Sequence, residues 1–200
     1  ATTATISAGG TTASTIDDAL GNTLTSLSLS GNGTAHEFSL LNSEGVSSVT
    51  ITGDQNVTVT MDASDIDLLT SNAVTVVDSS SATSTLKVGT AAGDMDLTAA
   101  AVDAIDIAID NNAKTATVAS GAEVTLSVDQ TATTIDGADS GASTNSVAVT
   151  LDDGATAANA AVDIGTSLTF TDFATATINV STDSVTSGTY TASSITALTG

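Results

Sequence analysis

Five short segments gather carboxylates closely enough to act together: Asp62-x-x-Asp65-x-Asp67, Asp94-x-Asp96, Asp103-x-x-Asp106 with Asp110, Asp136-x-x-Asp139, and Asp152-Asp153. A further position is Asp54, in the connector Gly53-Asp54-Gln55-Asn56. The chemistry such residues support is the binding of a hard divalent cation. Calcium takes six to eight oxygen ligands at about 2.3–2.6 Å, from carboxylates, amides, backbone carbonyls and water, and Asp-rich turns beside rigid strands offer that geometry. None of the segments matches an EF-hand loop or a G-G-x-G-x-D repeat. The competing reading for each is an Asp that hydrogen-bonds its own backbone in a turn or helix cap.

Other chemistry runs out quickly. His36 is the single histidine, so a Ser-His-Asp triad would have to use it, and no G-x-S-x-G setting accompanies any serine. Beside Glu37 it reads as half of a surface loop pair. One His and no Cys cannot make a zinc site, and no G-x-x-x-x-G-K-[ST] loop exists to cradle phosphate. Paired carboxylates could serve glycoside hydrolysis, but sugar sites usually add aromatic platforms, and aromatic residues make up only 2% of this chain. The N-x-[ST] sequons at Asn32, Asn56 and Asn179 are what chance supplies in a chain this rich in Ser and Thr. The residues point away from an enzyme.

Charge is the dominant global signal. Lys87 and Lys114 are the only cations against 23 Asp and Glu, a net charge of −21. Nucleic acid is an implausible partner, because phosphate binding needs clustered basic residues, and anionic membrane surfaces are disfavoured in the same way. The carboxylates cannot be paired internally. Where they lie close, divalent cations, high salt or spacing over a large surface must relieve them. No apolar run approaches the ~18–20 residues of a membrane span, so membrane insertion is not expected. The opening ATTATISAGG lacks a signal-peptide pattern, which fits either a removed signal or an internal boundary of a larger chain.

The elements that would carry the carboxylates are strands. In Val46–Asp62, VSSVTITGDQNVTVTMD, two alternating arms flank the Gly53–Asn56 connector. Val49, Ile51, Val57, Val59 and Met61 face one way, with Thr50, Thr52, Thr58 and Thr60 outside, because strand side chains alternate with period two. Thr23–Gly33 repeats the pattern: Leu24, Leu27, Leu29 and Gly31 lie 22 residues before Val46, Val49, Ile51 and Gly53 (46−24, 51−29, 53−31). Val76 lies 25 beyond Ile51 (76−51) and extends the series. A period in the twenties is that of solenoid coils. Further short strands are expected at Thr2–Ile6, Ala73–Asp78, Thr85–Val88, Lys114–Ala119, Val124–Val128, Ser146–Leu151, Ser167–Phe170, Thr175–Val180 and Thr189–Ile195. Helical turns are expected at Thr15–Leu20 and Ala63–Ser71.

These features argue an all-β chain. A parallel β-solenoid is favoured, because it accounts for the spacing and for a thin core of Val, Ile, Leu and Ala. The alternative is an antiparallel β-sandwich, which usually wants larger core residues, whereas this chain has Trp 0, Tyr 1 and Phe 3. No Pro or composition break divides residues 1–200, so a single domain is expected, with a possible subdivision near residue 140.

Segments such as LTSLSLSGNG, VSSVTITGDQNVTVTMDAS and AVTVVDSSSATSTLKV resemble the secreted surface-layer proteins of Gram-negative bacteria, of the Caulobacter and Campylobacter type. Those proteins are rich in Thr, Ser, Ala and Asp, poor in Lys and Cys, and β-rich. The resemblance is compositional and spans roughly Leu24–Leu151. It implies an extracellular, cell-surface protein that self-assembles with calcium, its partners being further copies of itself. The runner-up is a calcium-stabilised stalk or ligand-binding module of a large adhesin, with a cell-surface glycan as partner. A third class, ice binding by Thr rows, rests on the T-x-T pairs Thr23/Thr25, Thr50/Thr52, Thr58/Thr60 and Thr115/Thr117, which recur at no constant period.

Overall fold

A computed structural model describes residues 2–17, 23–42, 45–62, 65, 74–90, 94–108, 114–128, 130, 132–138, 144–152, 167–180 and 195–196. In chain order the strands are β1 (Thr3–Ala8), β2 (Ser14–Asp17), β3 (Ser26–Gly31), β4 (His36–Asn42), β5 (Ser48–Thr52), β6 (Val57–Asp62), β7 (Thr75–Asp78), β8 (Ser84–Thr90) and β9 (Met95–Asp96). They continue with β10 (Ala100–Ala101), β11 (Ala104–Ile107), β12 (Lys114–Val118), β13 (Ala122–Leu126), β14 (Ala132–Gly137), β15 (Ser146–Leu151), β16 (Ser167–Thr171), β17 (Thr175–Val180) and β18 (Ile195–Thr196). The chain is a parallel β-solenoid: each pairing register between described strands is parallel, which removes the antiparallel sandwich.

Contacts divide the chain into two compact units, Ala1–Thr90 with Ala99–Ile105, and Ala91–Thr98 with Asp106–Gly200. Residue 140 falls inside the second. In the first unit, successive coils send one strand to a sheet ordered β1-β3-β5-β7-β10 and the next to a sheet in which β2, β4, β6 and β8 follow one another. Side chains at matching coil positions therefore stack in rows. One inward row runs Ala4, Leu27, Val49, Val76 and Ala100, and a second runs Ile6, Leu29, Ile51 and Asp78. On the facing sheet Phe38, Val59 and Leu86 form a row, and all three are 0% exposed. Period-two alternation is what makes this possible, since every second residue of each coil falls on the same inner line.

The second unit repeats the scheme with β9, β12, β14, β16 and β18 in one sheet and β13, β15 and β17 in the other. Met95, Ala116, Ile135 and Phe170 make one inner row, and Val124, Val149 and Ile178 another. Outside, Thr115, Thr134 and Thr169 stand in register.

Several expectations change. Thr15–Asp17 belongs to strand β2 and not to a helical turn. Of the Ala63–Ser71 turn only Asp65 is described, in helical conformation, and the rest lies outside the described residues. The 22-residue match of Leu27 and Leu29 with Val49 and Ile51 is the true register, but the next coil is 27 residues long (76−49), and Val76 stacks on Val49, not on Ile51. The shift of two keeps every side chain on its face, so the strand itself reads the same either way. Thr60, on the outward side, is 6% exposed: it stands in register between Ser39 and Lys87, and its hydroxyl donates to Glu37 Oε1 at 2.7 Å.

Candidate functional site

The corrected register places Asp78 at the fourth position of the row Ile6, Leu29, Ile51. A carboxylate thus ends an otherwise aliphatic line, and the neighbouring chain is arranged to hold it. Residues 79–83 turn directly after β7, tied to the previous coil by Ser79 N–H on Ile51 O (2.8 Å) and Ser81 N–H on Gly53 O (2.9 Å). Within that turn the Ser80 N–H donates to Asp78 Oδ1 at 2.7 Å, and the Ser80 hydroxyl donates to Ala82 O at 2.7 Å.

Asp103 approaches the same place from the next coil. Its Oδ2 accepts from Ser84 N–H at 2.9 Å and from the Ser84 hydroxyl at 3.3 Å, and its own N–H donates to Ser84 Oγ at 3.1 Å. Ser84 is 0% exposed and continues the inward row of His36 and Val57, so Asp103 satisfies a hydroxyl that the core would otherwise strand. Asn56 closes the side, its Oδ1 accepting from Thr83 N–H at 3.2 Å. Asn56, Asp78, Ser80, Ser81, Ala82, Thr83 and Asp103 line an open polar depression of about 450 Å³.

Burial alone would push the Asp78 carboxyl up. Hydrogen bonding, led by the Ser80 N–H on Oδ1, more than offsets it, and the group sits below the usual carboxylate range. Two carboxylates lining one recess repel, and an oxygen-seeking cation between them would relieve that repulsion.

The remaining expected ligands are dispersed. Asp54 is exposed in its turn and accepts from Gln55 Nε2 at 3.2 Å. Asp62 is half-buried at the end of β6, opposite Thr90 across a register shift, and Asp65 accepts through its backbone carbonyl from Val74 N–H at 2.6 Å. Asp94 takes the Thr115 N–H at 2.8 Å, and Asp96 takes both the N–H and hydroxyl of Thr98 at 3.0 and 2.6 Å. Asp106 is half-buried on β11. Asp136 accepts from the Thr171 hydroxyl, and Asp152 is half-buried just beyond β15. Asp67, Asp110, Asp139 and Asp153 lie outside the described residues. Among the described residues no three His, Asp or Glu side chains converge on a metal-sized point.

Sequence reasoning missed Asp78, whose signal was its place in the row once the coil length is taken as 27. It also placed His36 in a surface loop. His36 is 5% exposed on β4, its Nδ1 3.1 Å from Gly10 O and its Nε2 2.9 Å from Ser14 Oγ, with its ring edge-on to Phe38 at 4.9 Å. Among the described residues no helix is long and apolar enough to cross a membrane. Comparison with protein-family models, curated proteins and solved structures returned no match to this chain.

Proposed function

We propose that this chain is an extracellular structural protein that self-assembles, as a surface layer or filament subunit, with calcium relieving the repulsion between copies. The observation that carries the reading is the meeting of Asp78 and Asp103 in one polar recess of a chain with a net charge of −21 and two lysines. A hard cation suits such a recess: two carboxylates, the Asn56 amide oxygen, Ser80 and water offer the oxygen donors calcium takes. Carboxylates left on the surface would then bridge neighbouring copies through further ions, where bare surfaces of equal sign would repel.

Electron microscopy and sedimentation with millimolar Ca²⁺ and with EDTA test the reading. Ordered multimers in Ca²⁺ that disperse in EDTA are expected, together with a higher melting temperature in Ca²⁺. A protein that stays monomeric at high concentration in both conditions ends it. A monomer that nonetheless binds a glycan surface would turn the reading to the stalk or ligand-binding module of an adhesin.

A second reading has one observation behind it. Thr115, Thr134 and Thr169 stack outward in register, with Thr117, Asp136 and Thr171 in the next row, at the roughly 4.8 Å interval between strands. The Thr115, Thr134 and Thr169 hydroxyls form a regular row of the kind that would match an ice surface. Thermal hysteresis measured on the purified chain, abolished by Thr134→Lys, is the expected result for that reading, and no hysteresis removes it.

A further inference from the structure

Two of the strands that end a sheet, β1 and β17, carry nearly the same residues. β1 reads Thr3-Ala4-Thr5-Ile6-Ser7-Ala8, and β17 reads Thr175-Ala176-Thr177-Ile178-Asn179-Val180. Each stands at the end of its sheet, with a described neighbour on one side only: β3 for β1, β15 for β17. Neither holds a charged residue, in a chain with 23 acidic ones.

Their inner positions are incompletely covered. Ala4 and Ile6 are half-buried, as are Ala176 and Ile178, whereas the stacked residues one coil inward are closed off: Leu27 1%, Leu29 0%, Val147 2% and Val149 0% exposed. One more coil on either end would complete the burial. Edge strands are normally guarded by Lys, Pro or an inward charge, and neither of these has any.

The backbone directions agree as well. Thr2 O accepts from Ser26 N–H at 3.0 Å and Ala8 O from Asn32 N–H at 2.8 Å, so even-numbered residues of β1 turn their amides toward β3. Thr3, Thr5 and Ser7 therefore turn theirs to the open edge. On β17 the Thr175 N–H donates to Asn145 O at 3.1 Å, which leaves Ala176 and Ile178 facing the open edge. In a parallel pair, a residue that faces its neighbour sits between two that face back. Setting Ala176 opposite Ala4 puts it between Thr3 and Thr5, and Ile178 between Thr5 and Ser7. The same register stacks Ala on Ala, Ile on Ile and Thr on Thr. Side-chain identity and hydrogen-bond direction select one alignment.

We infer that β17 of one copy adds in parallel to β1 of the next, and that this head-to-tail contact is the joint of the assembly. The inference rests on the self-assembly reading and supplies its geometry. The contact is heterologous, so it extends into a chain of copies unless the rotation closes a ring.

Proline distinguishes the two edges without breaking either sheet. Thr5→Pro removes an amide that β3 does not use, and Ala176→Pro one that β15 does not use. In Ca²⁺, the full chain with either substitution alone loses multimers, since each lacks one half of the joint. An equimolar mixture of the two forms dimers, through the intact β17 of the first and the intact β1 of the second. Sedimentation velocity reads both, with circular dichroism confirming the native strand signal. If either variant assembles like the unsubstituted chain, or the mixture stays monomeric while both are folded, the joint is wrong although self-assembly stands. If the unsubstituted chain is monomeric with and without Ca²⁺, both readings fall.

Should a proline variant not fold, the Cys-free chain allows a second measurement. Thr5→Cys with Thr177→Cys places the two cysteines at paired outward positions on strands about 4.8 Å apart, within disulfide reach. Oxidation is expected to give a ladder of covalent multimers. Thr3→Cys with Asn179→Cys, four residues out of register, gives none. Equal ladders from both pairs overturn the register.

Discussion

At the scale of single residues, the polar groups inside the solenoid decide more than the carboxylates outside it. The His36 imidazole bridges Gly10 O and Ser14 Oγ, and a carbonyl only accepts, so Nδ1 carries the hydrogen in that bond. His36→Ala leaves the carbonyl and the hydroxyl unpaired and opens a void beside Phe38; a loss of about 3 kcal/mol is expected from the denaturant midpoint. A change under about 0.5 kcal/mol, the size of an ordinary surface substitution, would mean the bridge contributes nothing. Asp78 makes a different demand, on pH. Its carboxyl sits below the usual range, so its contribution is fully present above the ordinary carboxylate value of about 4 and is lost as pH falls through its own lower value. Protonating the other carboxylates relieves repulsion over the same interval and works the opposite way, so the comparison must be with a variant. Urea titrations at pH 7, 4 and 3 are expected to show a smaller acid loss for Asp78→Asn than for the unsubstituted chain. Parallel curves would show that the hydrogen bonds around Asp78 do not favour its ionised form.

At the scale of the coil, the corners set the register that the strands alone leave open. Gly31 ends β3 where the chain turns toward β4, and a Cβ there would lie 2.7 Å from Thr34 O and 2.6 Å from Gln55 Cβ. Neither can withdraw easily, the first being backbone of the same corner and the second part of the next coil. Gly33, two residues on, has φ of 71° and open space around it. Gly31→Ala is therefore expected to cost about 1–3 kcal/mol through overpacking, and Gly33→Ala about 1 kcal/mol through its left-handed backbone alone. Equal midpoints for the two would show that the coils are not locked at this corner. The same distinction explains what could be read from residues alone. Val49, Ile51, Val57, Val59 and Met61 were legible as core because alternation is a local property, and all five are at most 2% exposed. The pairing of Leu29 with Ile51 was legible because the strand-and-turn pattern recurs intact 22 residues on (51−29). The pairing of Ile51 with Asp78 was not, because the intervening loop adds five residues (27−22) and a shift of two leaves the pattern of each strand intact. Asp78 was hidden by that shift alone, and the Thr115, Thr134 and Thr169 row by the same kind of unequal spacing, 19 and then 35 residues (134−115, 169−134).

For the molecule as a whole, composition states the net charge and is silent on where opposite charge must come from. At −21 the folded chain repels itself more than an expanded one, so screening should stabilise it. Melting temperature is expected to rise with NaCl and to level off near 0.15 M, where the Debye length has fallen to about 8 Å and surface carboxylates farther apart than that are largely screened from one another. Calcium is expected to do more than screen. A bound ion stabilises by mass action, in proportion to the logarithm of its concentration above the dissociation constant, and does not saturate with ionic strength. Melting curves in CaCl₂ and NaCl matched for ionic strength separate the two effects. An excess for CaCl₂ is expected, and Asp78→Asn and Asp103→Asn should each remove part of it, whereas Asp54→Asn, on an exposed turn, should leave it nearly unchanged. Superimposable curves would reduce calcium to one screening ion among others. An excess that survives both substitutions would place the cation at a different group of carboxylates.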